Sequence, residues 1–172
     1  TTLIRMLRLE GDDEAAKKVF EEMKKAKLRP NERTKEILNY PARGKDLGKM
    51  RTAKLASLLK QGGDEATAAA RSMMDKMVKN GVANAHQFNL MLKLCTSSDE
   101  MREVIDVAML EAGVKQDVVT YSTLINMLRV EGDDDAAKNV FEEMKKAKVE
   151  PNEKTKEILN YPARGEALNK RR

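Results

Sequence analysis

Two runs of consecutive acidic residues are the first candidates for chemistry, because carboxylates can coordinate a hard cation. They lie at residues 12–14 (Asp-Asp-Glu) and 133–135 (Asp-Asp-Asp), each after a glycine. A calcium loop of the EF-hand type alternates its ligands and ends in glutamate, which these runs do not do. Acidic residues at the start of a helix satisfy free N–H groups and complement the helix dipole. We therefore interpret both runs as helix caps and predict no metal site.

The chain has one histidine, His86, and one cysteine, Cys95. These counts exclude a histidine-based metal cluster, a cysteine-based zinc site and an intramolecular disulfide. The Gly-Lys pairs at 44–45 and 48–49 lack the pattern of a phosphate-binding P-loop. We expect Cys95 to be a small buried residue and His86 to lie near a helix start. The sequence thus predicts neither an enzyme nor a cofactor, and no small-molecule substrate.

The chain repeats itself. Residues 1–44 return at 122–165 with 36 of 44 aligned positions identical, and a weaker match continues to residue 172. Self-similarity with shorter units nested inside it is typical of a repeat architecture. Stacked repeats present an extended surface rather than a closed pocket, so the duplication favours a binding protein.

The composition indicates a helical chain. Hydrophobic residues make up 41% of it, yet there are only three Phe, three Tyr and no Trp. Ala, Leu, Val and Met suit close helix–helix packing. The net charge of +5 suits a polyanionic partner without requiring one. No apolar run approaches the ~18 residues of a membrane span. The chain starts without Met, at a point corresponding to the inside of the repeated helix, and we expect a fragment or processed product.

Apolar spacing predicts an all-α fold of about nine helices that form helix-turn-helix hairpins. The clearest unit has a helical stripe from Tyr121 to Leu128, a break at Gly132, a second amphipathic helix and a stop at Pro151. We divide the chain into a truncated repeat at 1–31, an unpaired short helix and basic turn at 32–45, a divergent repeat at 46–84, repeats at 85–117 and 118–152, and a short helix with a basic tail at 153–172. The unpaired helix predicts an irregular joint near 31–46.

The unit at 118–152 resembles a pentatricopeptide repeat. Val-Thr-Tyr-x-Thr-Leu-Ile opens its first helix, Gly-x-x-x-Ala separates the helices, Phe-x-x-Met closes the second, and Val-x-Pro-Asn forms the turn. The resemblance is nearly as strong at 1–31, moderate at 85–117 and weak at 46–84. The related tetratricopeptide family shares the hairpin geometry, but its tryptophan and Leu-Gly marks are absent.

The resemblance implies an α-solenoid that binds single-stranded RNA in an organelle, one base per repeat. It assigns base choice to the fifth and last motif positions and base packing to the second. These positions are Ser122, Asn152 and Val119 in the unit at 118–152, Thr1 and Asn31 in the N-terminal copy, and Asn89, Asp117 and His86 in the unit at 85–117. The first two sets imply adenine and the third implies uracil.

Some positions depart from the family pattern and leave a second function open. Lys54 stands at a readout position opposite Asn84 or Ala85, and Glu36 and its copy Glu157 place carboxylates where phosphates would pass. The leading hypothesis is an RNA-binding module of a chloroplast or mitochondrion that acts by occupancy in RNA processing, stability or translation. The alternative is a structural or adaptor subunit that contacts protein in a large organellar complex, such as a ribosome or a photosynthetic or respiratory assembly.

Overall fold

The computed structural model describes residues 2–39 and 45–160, and these residues form helices and no strand. The ten α-helices are α1 (Thr2–Leu9), α2 (Asp13–Lys25), α3 (Glu32–Asn39), α4 (Lys45–Gln61), α5 (Gly63–Lys79), α6 (Ala85–Met91), α7 (Ser98–Glu103), α8 (Val118–Glu131), α9 (Asp134–Lys146) and α10 (Glu153–Asn160). A 3₁₀ turn, Leu92–Leu94, follows α6, and α7 continues as a π-helical segment, Val104–Met109. The predicted all-α repeat fold is confirmed, and the predicted count of about nine helices is close. Part of the predicted joint, residues 40–44, lies outside the described residues.

The contacts divide the chain into two compact units, Thr1–Leu90 and Met91–Arg172. The first unit contains α1 to α5 and all of α6 except its last residue, and the second contains α7 to α10. This division falls inside the repeat that we predicted at 85–117. The borders of the individual repeats stay a prediction.

In the first unit, α1 and α2 form a hairpin, and the short helix α3 packs along α1. Ile4, Ala16 and Ile37 form the buried centre of this group, one from each helix. The short helix therefore lacks a hairpin partner but is not isolated, because it buries Ile37 against the preceding pair. In the second unit, α10 packs against α8 in the same manner.

The second hairpin of the first unit, α4 and α5, is joined to α1 by a buried arginine. Arg51 is fully buried, and its Nε donates to the carbonyl oxygen of Arg8 at 2.9 Å. Its Nη2 lies 3.3 Å from Oδ1 of Asp13, which also pairs with Arg8 at 2.8 Å. Burial lowers the pKa of Arg51, and the charge of Asp13 opposes that effect. A carboxylate shared by two guanidinium groups thus fixes α4 against the α1–α2 turn.

In the second unit, α7 packs against α8 and is tied to the hairpin at two points. Arg102 makes a bidentate pair with Glu143 of α9, at 3.0 and 3.2 Å. The hydrogen bonds to Glu143 raise the pKa of Arg102. The N–H of Ser98 donates to Glu131 at 2.8 Å. Both ties are exposed, so they orient α7 more than they stabilise it.

The acidic runs are capping sites. Asp12 accepts a hydrogen bond from the N–H of Ala15 at 3.0 Å, and Asp133 accepts one from Ala136 at 2.9 Å. Across residues 2–39 and 45–160, no group of three or more His, Cys, Asp or Glu side chains is placed to hold a metal ion. In the same ranges, no helix combines the length and apolarity needed to cross a membrane.

Candidate nucleic-acid interface

Asparagine residues at the ends of repeats cap the helices that follow. Oδ1 of Asn152 accepts from the N–H and the hydroxyl of Thr155, at 2.9 and 2.8 Å. Asn31 makes the same two contacts with Thr34, at 2.8 and 2.6 Å. Both asparagines are exposed. Because capping fixes Oδ1 of Asn152 toward α10, the amide Nδ2 of Asn152 points away from that helix. No described residue accepts a hydrogen bond from this nitrogen.

A buried threonine connects the two predicted readout residues of the unit at 118–152. Ser122 Oγ lies 2.7 Å from Oγ1 of Thr155, which lies 2.8 Å from Oδ1 of Asn152. Ser122 Oγ is also 2.6 Å from the carbonyl oxygen of Val118. These three contacts share only two hydroxyl protons, so at most two of them are hydrogen bonds at once. The acceptor that the Ser122 hydroxyl uses therefore depends on whether the Thr155 hydroxyl donates to Asn152 or to Ser122.

Val119 completes this group on the first turn of α8. It is 47% exposed and lies one turn before Ser122 on the same helix face. An exposed aliphatic side chain beside a hydroxyl and an amide can pack on a base while the polar groups reach its edge. We call these three predicted residues, Val119, Ser122 and Asn152, the α8 site.

Asp117 caps α8. Its Oδ1 accepts from the N–H groups of Val119 and Thr120, at 2.9 and 3.0 Å, and from the Thr120 hydroxyl at 3.1 Å. The N–H of Asp117 donates back to Thr120 Oγ1 at 3.2 Å, which completes a capping box. The carboxylate complements the helix dipole, so it has a structural role whether or not RNA is present.

The remaining predicted residues differ in accessibility. His86 is exposed on α6, whereas Asn89 on the same helix is buried, with 7% of its surface exposed. Asn89 belongs to the first unit and its predicted partner Asp117 to the second. Thr1 lies outside the described residues. Among the described residues, all three predicted residues of the α8 site lie within the second unit.

The off-pattern residue Lys54 lines a pocket instead of a base site. The pocket has a volume of about 400 Å³ and lies among α1, α4 and α5. Met6, Leu58 and Met73 give it an apolar wall, with Lys76 also present. Glu10 and Ser72 also line the pocket.

Basic residues on the second helices of both copies are only partly neutralised. Lys24 pairs with Glu21 and lies 4.5 Å from the ring centre of Phe20, and Lys145 repeats this arrangement with Glu142 and Phe141 at 4.4 Å. Such exposed pairs contribute little stability.

Sequence reasoning missed Thr155, although a signal for it was present. At the ends of the predicted repeats, Asn or Asp is followed three residues later by Thr at 31/34, 117/120 and 152/155, and by Gln at 84/87. In that pair the N–H of Asn84 donates to Gln87 Oε1 at 2.9 Å, and the N–H of Gln87 donates to Asn84 Oδ1 at 3.1 Å. A recurring cap at the ends of repeats would have pointed to these residues.

Comparison with known families agrees with the repeat geometry. The sequence model of the pentatricopeptide repeat domain matches residues 1–34 and 105–156, which together make up half of the chain. No curated protein matches the chain significantly in sequence. The matched residues contain α1–α2, α8–α9 and the caps at Asn31, Asp117 and Asn152. The chain belongs to the pentatricopeptide repeat family.

Proposed function

We propose that the chain is an organellar module that binds single-stranded RNA at the α8 site. Proteins of this family are generally RNA-binding and organellar. The observation that carries the proposal is the group made by Val119, Ser122 and Asn152, with an exposed aliphatic side chain, a hydroxyl and an outward-pointing amide on one surface.

The hydrogen-bonding chemistry favours adenine over uracil and guanine at this site. Since capping occupies Oδ1, Asn152 offers Nδ2 as a donor, and N1 of adenine is an acceptor. The adjacent N6 amino group of adenine can donate to the Ser122 hydroxyl. Uracil and guanine instead present an N–H at the equivalent position of their Watson–Crick edges, which would face the Asn152 donor. Such a mismatch leaves a polar group unpaired and costs about 1–3 kcal/mol.

The chain acts by occupancy. Family members are generally non-catalytic, and a bound repeat array blocks, guides or protects the transcript that it covers. The processes that fit this action are RNA processing, stability and translation in a chloroplast or mitochondrion. With few phosphate contacts, binding is expected to be weak and to decrease with salt, by about 0.7 log unit per contact for each tenfold increase.

Fluorescence anisotropy with short A-rich, U-rich and C-rich RNAs at two salt concentrations tests the proposal. Asn152→Asp replaces the Nδ2 donor with a carboxylate oxygen, an acceptor, and preserves the cap on α10. We expect the base preference of this variant to shift from adenine toward guanine, and a G-rich RNA added to the series measures that shift. We expect binding to A-rich RNA to weaken about tenfold, as the loss of one base contact implies. Asn139→Asp adds the same charge at an exposed position on α9 and should leave base preference unchanged.

Unchanged base preference in Asn152→Asp would contradict the assignment of the α8 site. A second function, a structural or adaptor subunit of a large organellar complex, is favoured by the burial of Asn89, because that side chain is enclosed rather than presented to a ligand. The absence of RNA binding at low salt would favour this second function over the first.

A further inference from the structure

The four turns that lead to the caps at the ends of repeats each contain one residue in the left-handed conformation. In two turns this residue is a glycine, Gly81 with φ 61° and Gly113 with φ 64°. In the two copies of the duplicated hairpin it is a lysine, Lys27 with φ 57° and Lys148 with φ 58°. Across the described residues, these two lysines are the non-glycine residues with positive φ. The duplicated copies thus place a charged side chain where the other turns have none.

The same backbone hydrogen bonds close all four turns. The N–H of Lys148 donates to the carbonyl oxygen of Lys145 at 2.9 Å, and the N–H of Val149 donates to that of Met144 at 3.0 Å. The two corresponding distances at Gly113 are both 2.9 Å. Glycine adopts positive φ without steric cost, whereas a residue with a Cβ is strained there. The backbone of these turns therefore does not require lysine, and lysine occupies the position at a cost in stability.

The helix dipole accounts for the neighbouring lysines but not for the left-handed one. Lys145 and Lys146 lie in the last turn of α9, where a cation complements the partial negative charge of the helix C-terminus. Lys145 also pairs with Glu142 at 2.7 Å. Lys148 lies beyond the helix, is exposed, and pairs with no acidic side chain in the part of the chain that the structure describes. Its ammonium group is thus accessible to an anion.

The first copy repeats this arrangement in a more basic turn. Lys24 pairs with Glu21 at 2.8 Å, as its counterpart does in α9. Lys27 and Arg29 are exposed, and neither pairs with an acidic side chain within residues 2–39 and 45–160. Arg29 stands where the second copy has Glu150. A strained, exposed and unpaired cation at the same place in both copies is the kind of backbone outlier that marks a functional position.

The left-handed lysine lies close to the asparagine that follows it. Because an extended chain spans about 3.3–3.6 Å per residue, the Cα atoms of Lys148 and Asn152 lie within about 14 Å of each other. The turn between them is held at both ends, by the hydrogen bond from Val149 to Met144 and by the cap that Asn152 makes. A lysine so placed can reach a phosphate of a nucleotide whose base contacts Asn152. Lys27 stands in the same relation to Asn31.

We propose that Lys27 and Lys148 bind phosphate groups of single-stranded RNA, one beside each capping asparagine. The inference rests on the proposed RNA-binding function, and it adds the groups that hold the RNA backbone while the α8 site contacts a base. A lysine ammonium binds phosphate as a point charge, and phosphate contacts carry no sequence information. The two lysines therefore raise the affinity for RNA and its dependence on salt, and they leave base preference unaltered.

Lys27→Gly and Lys148→Gly separate stability from RNA affinity, because glycine suits the left-handed position and carries no charge. Each variant should raise the urea midpoint of unfolding. Fluorescence anisotropy with A-rich RNA at several salt concentrations measures the affinity. Each variant should reduce the slope of log affinity against log salt by about 0.7 and weaken binding about fivefold at about 0.1 M salt. Lys138→Gln is the matched control, since it removes the same charge from a side chain of α9 that is 69% exposed, and it should leave affinity and slope unchanged.

The outcomes distinguish the phosphate contacts from the base site. Base preference should persist in both glycine variants, because a phosphate is the same for every base. If the parent chain binds A-rich RNA preferentially and neither glycine variant changes affinity or slope, the phosphate contacts are overturned and the α8 site stands. An equal loss in Lys138→Gln would also overturn them, because net charge would then be the cause. Binding without base preference but with the expected slopes would support the lysines and contradict the α8 site. Absence of RNA binding by the parent chain at low salt would overturn both.

Discussion

Met144 and Met23 provide a test in which the same substitution is made in two nearly identical hairpins. Met144 is fully buried and Met23 is half-buried. Truncation of a buried methionine to alanine costs about 2–5 kcal/mol, because apolar contact is lost and a cavity remains. At Met23 part of the side chain is already in water and no closed cavity forms, so we expect about 1 kcal/mol for Met23→Ala. The two variants should therefore differ by about 2 kcal/mol.

Urea unfolding followed by circular dichroism measures this difference. Because a repeat chain with two units can unfold in more than one step, the data should be fitted with two transitions. A loss of 2 kcal/mol shifts a midpoint by about 1 M urea when the m-value is near 2 kcal/mol/M. Met144→Ala, at about 3 kcal/mol, should move one transition by about 1.5 M, and Met23→Ala, at about 1 kcal/mol, should move the other by about 0.5 M. Equal shifts would refute the reasoning that the deeper burial of Met144 makes its truncation more costly.

Three further tests use single substitutions. Gly11→Ala should lower the free energy of unfolding more than Gly132→Ala does. Both glycines have positive φ, but a Cβ at Gly11 would lie 3.0 Å from Val82, whereas one at Gly132 would meet nothing within 4 Å. Urea midpoints measure the two effects, and equal losses of stability would contradict the close approach at Gly11. Burial raises the pKa of Tyr121 above its usual 10.0, so the contribution of Tyr121 to stability is complete below pH 10 and is lost as pH rises through the raised value. Tyr121→Phe should therefore reduce the loss of stability at alkaline pH. An unaltered dependence of stability on pH would contradict this role of Tyr121. Thr155→Val removes the hydroxyl between Ser122 and Asn152 but keeps the hydrogen bond from the N–H of residue 155 to Asn152. Fluorescence anisotropy should then show a preference for adenine that is reduced severalfold. An unchanged preference for adenine would mean that the hydroxyl has no part in base recognition.

Local features of the fold were predictable from the sequence. Gly132 ends α8 in the left-handed conformation, and Asp133 caps α9, as the glycine and acidic residues at that place indicated. The α1–α2 turn follows the same rules at Gly11 and Asp12. Such features depend on a few neighbouring residues, so a sequence window contains the information that specifies them.

Burial was less predictable, because it depends on residues far away in the chain. Leu3 and Leu124 have nearly the same neighbours in sequence and opposite exposure. Asn89 stands at a position that the repeat pattern assigns to an open groove, yet it is buried. A lone arginine such as Arg51 usually indicates a solvated charge, but the structure buries it fully beside Asp13. Periodicity identifies which face of a helix is apolar, but not which element, if any, covers it.

The duplicated hairpin has a consequence for how the chain folds. During folding, α7 meets two faces of nearly the same composition, and side-chain chemistry alone does not distinguish them. Sequence separation does: about ten residues connect α7 to α8, and about 70 connect it to α2. Closing the shorter loop is favoured by roughly 2 kcal/mol on entropic grounds. Connectivity thus directs α7 to the adjacent hairpin, and inserting a long flexible segment after α7 would weaken that preference and slow folding through misdocked chains.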